Sequence, residues 1–296
     1  MKAEEVVWSP VRQLAEGIRA RRLSPVALAE TFLDRLERQG PRYNAVVTVT
    51  RARALEQARR AEAEIAAGRY RGPLHGVPYG AKDLLATSGG IPTTWGAAPF
   101  RDRIFDFDAT AIRKLEEAGA VLCAKLAMVE LAGGMGYRQP NAAFTGPGVN
   151  PWSREAWSGG SSSGSGSAVA AGLVPFAIGS ETWGSILSPA GNCGIAGLRP
   201  TYGRVSRHGA MALCWTLDKL GPLALTADDC GLVLEAIAGR DPNDPTTSDR
   251  AYIYEHSNVS GRRFKLGVLK NATEGADEAI RANFDQALKA LEQVAD

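Results

Sequence analysis

Residues 158–168 read SGGSSSGSGSA and run straight into an apolar stretch from Val169 to Ile178. This junction restricts the fold more than any other part of the chain. Composition alone would make the Ser/Gly run a flexible linker between domains. A linker is bounded by polar surface residues, whereas this one opens onto residues that belong in a core. The segment therefore reads as a glycine-rich loop starting a buried helix, with free N–H groups able to hold negative charge. A nucleotide phosphate is disfavoured: no G-x-x-x-x-G-K-[ST] occurs, the run has no lysine, and Asn150–Glu155 reads as a loop. Gly160-Ser161-Ser162-Ser163-Gly164 matches G-x-S-x-G in form. The nucleophile elbow, however, needs a strand before its serine, and none is expected here.

Elsewhere helices and strands alternate. Ser9-Pro10 and Ser24-Pro25 each read as an N-cap followed by proline at the first helical position. After the second, Val26, Ala29, Leu33 and Leu36 recur at helical spacing, with Phe32 beside them. Asn44–Thr50 reads as a strand. Residues 52–67 read as a helix stopped at Gly68. Gly72 to Gly80 reads as a loop-rich stretch leading to Lys82-Asp83. A helix over Asp108–Ala118 with Ile112 and Leu115 inward precedes a buried strand at Ala120–Lys125. Thr226 to Asp229 resembles a capping box for the helix of Leu232, Val233 and Ile237. Lys265–Lys270 reads as a strand, and Ala276–Ala295 as a helix with Ile280, Phe284, Leu288 and Leu291 on one face. This alternation is that of a layered α/β fold.

Composition narrows the function classes. The 296 residues are 45% hydrophobic and 22% charged, which is ordinary for a globular chain. Lys and Arg number 34 against 32 Asp and Glu, a net charge of +2 that points to neither nucleic acid nor a membrane surface. No run of 18 apolar residues exists, and Met1 to Glu5 is not the start of a secretory leader, so a cytoplasmic protein is expected. Cys123, Cys193, Cys214 and Cys230 form no C-x-x-C pair and read as reduced thiols. His75, His208 and His256 show no metal-binding spacing.

Three segments carry the chemistry when read together: Gly76–Asp83 (GVPYGAKD), Ser158–Ser165 (SGGSSSGS) and Gly179–Ile186 (GSETWGSI). Singly, a Lys, Ser or Gly in them would be a surface lysine, a capping serine or a turn glycine. As an ordered set, with Cys193–Arg204 and Leu217–Leu223 following, they resemble the amidase signature family over nearly the whole chain. The resemblance implies a Ser–Ser–Lys triad without histidine: Ser185 as nucleophile, Ser161 as a bridging serine held in a cis conformation, and Lys82 as base. It implies an oxyanion hole built from Thr182, Trp183 and Gly184, support of Lys82 by Ser162, and no metal or organic cofactor. His75 and His208 are expected to be structural.

The chemistry can also be argued without the resemblance. An amide carbon is a poor electrophile, and a serine hydroxyl attacks only after a base takes its proton. An ordinary lysine is protonated at neutrality, but burial lowers its pKa, and Lys82 lies between Ala81 and Leu84-Leu85. A neutral Lys82 would draw a proton from Ser185 through Ser161 and return it to the leaving nitrogen. Asp83 is expected to point away from that amine, toward backbone donors.

The chain departs from the family at Trp183, where Gly or Asp is common, at Leu187, where Arg is frequent, and at Ser163, where Gly is usual. Trp183 either walls the acyl pocket or packs outward. The expected fold is one α/β domain, a mixed central sheet covered by helices on both faces, with N-terminal helices at its edge. Its parts are an N-terminal helical region 1–70, a catalytic core 71–240 and the start of a C-terminal region 241–296, the remainder being missing. The expected function is hydrolysis of a carboxylic amide through an acyl-enzyme on a small-molecule substrate. A homodimer is compatible with it. The alternative is the glutamine-hydrolysing A subunit of a tRNA-dependent amidotransferase, which would need partner subunits; its usual Gly-Gly-Ser turn is Trp183-Gly184-Ser185 here. A non-catalytic scaffold is the third reading, and the intact Lys82, Ser161 and Ser185 argue against it.

Overall fold

The computed structural model describes residues 3–133, 143–254 and 263–296. They fall into two compact units, 1–254 and 255–296.

The larger unit begins with a short helix α1 (Ala3–Val6) and helix α2 (Val11–Arg19). Ser9 does not cap α2 as expected. Its hydroxyl turns back to the Glu5 carbonyl at 2.9 Å, and Asp229, far along the chain, accepts from the Arg12 N–H at 3.3 Å instead. Ser24 does cap α3 (Pro25–Gln39), accepting from Ala27 N–H at 3.1 Å with Pro25 in the first turn. Strand β1 (Val46–Val49) and helix α4 (Arg51–Ala66) follow as read. The first surprise is β2 (Pro78–Lys82), a fully buried strand where a loop was expected. Helix α5 (Thr110–Glu117) and strand β3 (Val121–Leu126) agree with their patterns.

Strands β4 (Val149–Asn150) and β5 (Ser153–Trp157) form a separate antiparallel ribbon. A strand therefore does precede the Ser/Gly run, contrary to expectation. It is exposed and lies outside the central sheet, so it does not supply the sheet strand that a nucleophile elbow requires. Helix α6 (Ser163–Ala170) is buried at every position, as the apolar continuation demanded. Strand β6 (Phe176–Glu181), helix α7 (Leu187–Cys193), strands β7 (Ala196–Gly197) and β8 (Lys219–Ala224), and helix α8 (Ala227–Ile237) complete the unit. Thr226 caps α8 through Asp229 N–H.

The six sheet strands run in the order β1-β3-β2-β6-β8-β7. The central three are parallel, and β1, β8 and β7 pair antiparallel, so the sheet is mixed. Alternation along the strands sends side chains to two cores. Tyr79, Leu122, Phe176 and Ile178 pack with α2, α5 and α8, while Val121, Cys123 and Ala177 pack with α3, α4 and α6. Helices thus cover both faces. The N-terminal helices belong to these covering layers and not to the sheet's edge, because each carries an apolar stripe that must be buried.

In the smaller unit, helix α9 (Glu278–Leu291) forms as read, but Lys265–Lys270 is not a strand. Phe264 bridges to Ala295, and Arg263 ion-pairs with Asp296 at 2.7 Å.

Candidate active site

Strands β2 and β6 are parallel neighbours, and both end at the same edge of the sheet. Carboxyl ends of parallel strands are where open α/β sheets assemble sites. Lys82 ends β2; Ser180 and Glu181 end β6. The Ser/Gly loop crosses the same edge before entering α6.

Lys82 is wholly buried. Its Nζ lies 2.8 Å from Ser161 Oγ, 2.9 Å from Ser162 Oγ and 2.9 Å from Ser180 Oγ. Burial pushes its pKa down to about 7, with Asp218 and Glu181 opposing the fall. Ser162 Oγ also donates to the Ser180 carbonyl at 3.2 Å and accepts from its N–H at 3.3 Å, which fixes that hydroxyl as an acceptor toward the amine. Ser161 and Ser180 are therefore the hydroxyls able to donate to a neutral Lys82.

The loop approaches the turn that carries Ser185 edge to edge. Ser162 N–H donates to the Ser185 carbonyl at 3.2 Å, and Val129 N–H to the Ser161 carbonyl at 3.0 Å. The Gly160–Ser161 peptide is cis, as the family resemblance implies. Ser185 is 8% exposed and Ser161 5%. The structure thus brings Lys82, Ser161 and Ser162 into direct contact and holds Ser185 against them through its main chain.

Glu181 shapes the turn that carries Ser185. Its Oε2 accepts from Ile186 N–H at 2.7 Å and Leu187 N–H at 2.9 Å, and Arg199 lies 3.2 Å from its Oε1. Burial disfavours this carboxylate's charge, yet the N–H groups of Leu187, Ile186 and Gly184, with Arg199, hold its pKa below the usual value. Gly184 takes φ +89°, a conformation open to glycine at little cost. Thr182 is tied at both ends: its hydroxyl donates to Asp218 and its carbonyl accepts from Lys219 Nζ at 3.0 Å. Trp183 is 80% exposed and projects outward. A narrow, mainly apolar cleft adjoins Ser180 and Thr182, lined in part by Leu84, Met211, Leu213 and Leu220.

Ser180, Glu181 and Asp218 were not singled out from the sequence. Their signal was present, as a Ser-Glu pair closing an apolar strand and an acidic residue opening Leu217–Leu223. Asp83 points away from Lys82, as expected, and accepts from the backbone N–H and hydroxyl of Thr94; a second lysine, Lys125, also lies against it. His75 accepts from Arg71 N–H at 3.1 Å, and His208 stacks on Phe107. Neither hydrogen-bonds to Lys82, Ser161 or Ser185 among the described residues. Nor do the described residues bring three His, Cys, Asp or Glu side chains into a metal-binding group.

Comparison with known proteins agrees with this architecture. The family model described as Amidase matches residues 27–294. The A subunit of the glutamyl-tRNA(Gln) amidotransferase from Carboxydothermus hydrogenoformans is 41% identical over 98% of this chain and 60% of its own length. The native peptide amidase from Stenotrophomonas maltophilia superposes with a TM-score of 0.84 at 33% identity, over 97% of this chain and 60% of that one. An amidase family protein from Bacillus anthracis gives 0.87 at 33%, over 99% and 60%. The chain therefore spans about 60% of the length of such relatives. With a match across most of its residues, the chain belongs to the amidase family.

Proposed function

We propose that the protein hydrolyses a carboxylic amide to an acid and ammonia or an amine through an acyl-enzyme on Ser185. The observation that carries this reading is a fully buried lysine ringed by three serine hydroxyls. A lysine in that setting has no structural need of its charge and is poised to act as a base near neutrality.

The Ser185 hydroxyl attacks the amide carbon and gives its proton to Ser161, which passes its own to neutral Lys82. The oxyanion is received at the turn Thr182-Trp183-Gly184, whose shape Glu181 fixes from beneath by engaging the Gly184 N–H. The relay then runs backwards and protonates the leaving nitrogen, and water repeats the sequence to release the acid. Ser162 keeps Lys82 aimed at Ser161. The chemistry calls for no metal or organic cofactor. A cytoplasmic setting fits the buried, unreactive thiols of Cys123, Cys193 and Cys230, whose pKa values burial pushes up to about 12.

The test is labelling of the full-length protein by an aryl fluorophosphonate, together with hydrolysis of aliphatic, aromatic and glutamine amides. Ser185→Ala abolishes both, His75→Ala and His208→Ala leave both measurable, and labelling rises with pH through a midpoint near 7. Full activity in Ser185→Ala defeats the proposal.

The second reading, the A subunit of an amidotransferase, is favoured by the 41% identical relative of that name. It would be established by glutaminase activity that appears only with co-purifying partner subunits. Trp183 in place of the usual Gly favours a free-standing enzyme.

A further inference from the structure

The register of β6 and β8 gives Asp218 its place. The two strands are antiparallel, with Ser180 opposite Leu220 and Glu181 opposite Lys219. One step further out Thr182 meets Asp218, and the Thr182 hydroxyl donates to Asp218 Oδ1. Side chains alternate between the two faces of a sheet. Ser180, Thr182, Asp218 and Leu220 accordingly line the same cleft, and Ser180 Oγ lies 2.9 Å from Lys82 Nζ.

Asp218 is buried, and both its oxygens are used. Oδ1 holds the turn that leads to Ser185. Oδ2 accepts from Leu213 N–H at 2.8 Å and from Cys214 N–H at 3.0 Å, while Asp218 N–H donates back to the Cys214 carbonyl at 3.0 Å. The segment from Leu213 to Asp218 is thus closed into a loop, and Leu213 and Trp215 of that loop line the cleft. One carboxylate therefore joins the oxyanion turn to the cleft wall. Its donors are a hydroxyl and two main-chain N–H groups, all of them neutral.

We propose that Asp218 is a positioning residue for the reaction: it fixes the oxyanion turn to the cleft wall and supplies the negative charge that keeps the buried Lys82 amine basic. The proposal rests on the reading of Lys82 as base and Ser185 as nucleophile. Burial drives the Lys82 pKa down, and Asp218 opposes that fall ahead of Glu181. Glu181 has a cation against it, Arg199 at 3.2 Å. The other charged groups around the site are turned elsewhere. Asp83 is held by Thr94 and Lys125, Lys219 Nζ bonds to the Thr182 carbonyl, and Arg207 in the cleft bonds to the Trp215 carbonyl and to Thr246. The Ser/Gly loop presents hydroxyls to Lys82, those of Ser161 and Ser162.

Charge and clamp can be separated. Asparagine has the shape of aspartate and can keep both ends of the clamp, its carbonyl accepting from the two N–H groups and its amide donating to the Thr182 hydroxyl. Asp218→Asn therefore removes the charge and little else, whereas Thr182→Val cuts the clamp and leaves the charge. The measurement is the pH profile of labelling by an aryl fluorophosphonate in the full-length protein, read as a midpoint and a high-pH plateau. In Asp218→Asn the Lys82 ammonium loses a stabilising charge, so the midpoint should fall by about half a pH unit or more. In Thr182→Val the midpoint should stay, and the plateau rate should drop about tenfold or more as the oxyanion turn shifts. Should Asp218→Asn not fold, Asp218→Ser removes the same charge with less bulk and should show the same fall. An unmoved midpoint in the charge-removing variant, however slow its labelling, would make Asp218 purely structural and overturn the proposal. So would a parental plateau, or an equal fall in midpoint, in Thr182→Val. Labelling that survives Ser185→Ala would overturn the reading of the active site instead, and this proposal with it.

Discussion

At the scale of the residue, the proposed role of Lys82 works against stability. A lysine in water titrates near 10.4, and burial brings this one down to about 7. The folded-state pKa is depressed, so between about pH 7 and pH 10 the unfolded chain binds more protons than the folded one. Stability therefore rises with pH across that window, and the full cost of the buried charge is felt below it. A tenfold change in an acid dissociation constant is worth about 1.4 kcal/mol, so the cost at pH 6 is several kcal/mol. Lys82→Met should melt higher than the parent at pH 6, and its advantage should shrink by pH 10. Thermal melts at the two pH values check this, and an advantage that grows with pH would contradict the burial of an ammonium. The sequence pointed to Lys82, Ser161, Ser162 and Ser185 because the motifs containing them are long and ordered. It did not point to Ser180 or Lys125. A serine on a strand and a lysine in an apolar run gain meaning only when the sheet sets them beside partners about 100 and 40 residues away.

At the scale of the element, helix α6 decides how close the Ser/Gly loop can come to the sheet. A methyl group at Gly164 would lie 2.4 Å from the Ala45 carbonyl oxygen and 2.5 Å from Ala127 N, both main-chain atoms that cannot step aside. Gly164 N–H meanwhile donates to the Ala127 carbonyl at 2.9 Å. Gly164→Ala should therefore destabilise by about 1–3 kcal/mol or more through overpacking, and it should move Ser161 and Ser162 away from Lys82. Urea unfolding and fluorophosphonate labelling would show both losses together, and an unperturbed variant would contradict the close approach. The helix α3 was legible because a single apolar face and the local Ser24 capping bond define it, and α5 because its apolar face alone does. Strand β2 was not. Its residues Pro78-Tyr79-Gly80-Ala81-Lys82 are buried on both sides, and they carry a proline, a glycine and a lysine that together imitate a loop. Gly80 serves packing there, since a Cβ would fall 2.4 Å from Leu126. Conversely, Lys265–Lys270 has the apolar content of a strand, but no neighbouring strand pairs with it among the described residues, and alternation alone does not make a sheet.

At the scale of the whole molecule, the two units differ in what holds each together. The larger one contains every buried hydrophobic residue described except Ala295, along with Lys82, Ser161, Ser162 and Ser185. The smaller one is a helix whose apolar residues are largely uncovered, with Ile280 56% exposed and Leu291 40%. Its ties include main-chain bonds of Phe264 and Leu266 to Val294 and Asp296, and Arg263 bonded to Asp296 and to the Glu292 and Ala295 carbonyls. Such exposed pairs add at most about 1 kcal/mol. Periodicity revealed the helix and its stripe correctly, but a stripe says only that a face seeks cover. Because the larger unit's two cores are built from its own strands and helices, it should fold without residues 255–296. A chain ending at Tyr254 should unfold cooperatively, with a melting midpoint within about 4 °C of the 296-residue chain, the shift that ~1 kcal/mol produces in a domain of this size. Calorimetry checks this directly. A broad or absent transition in the shortened chain would mean that the residues after Tyr254 are needed to complete the fold around the site.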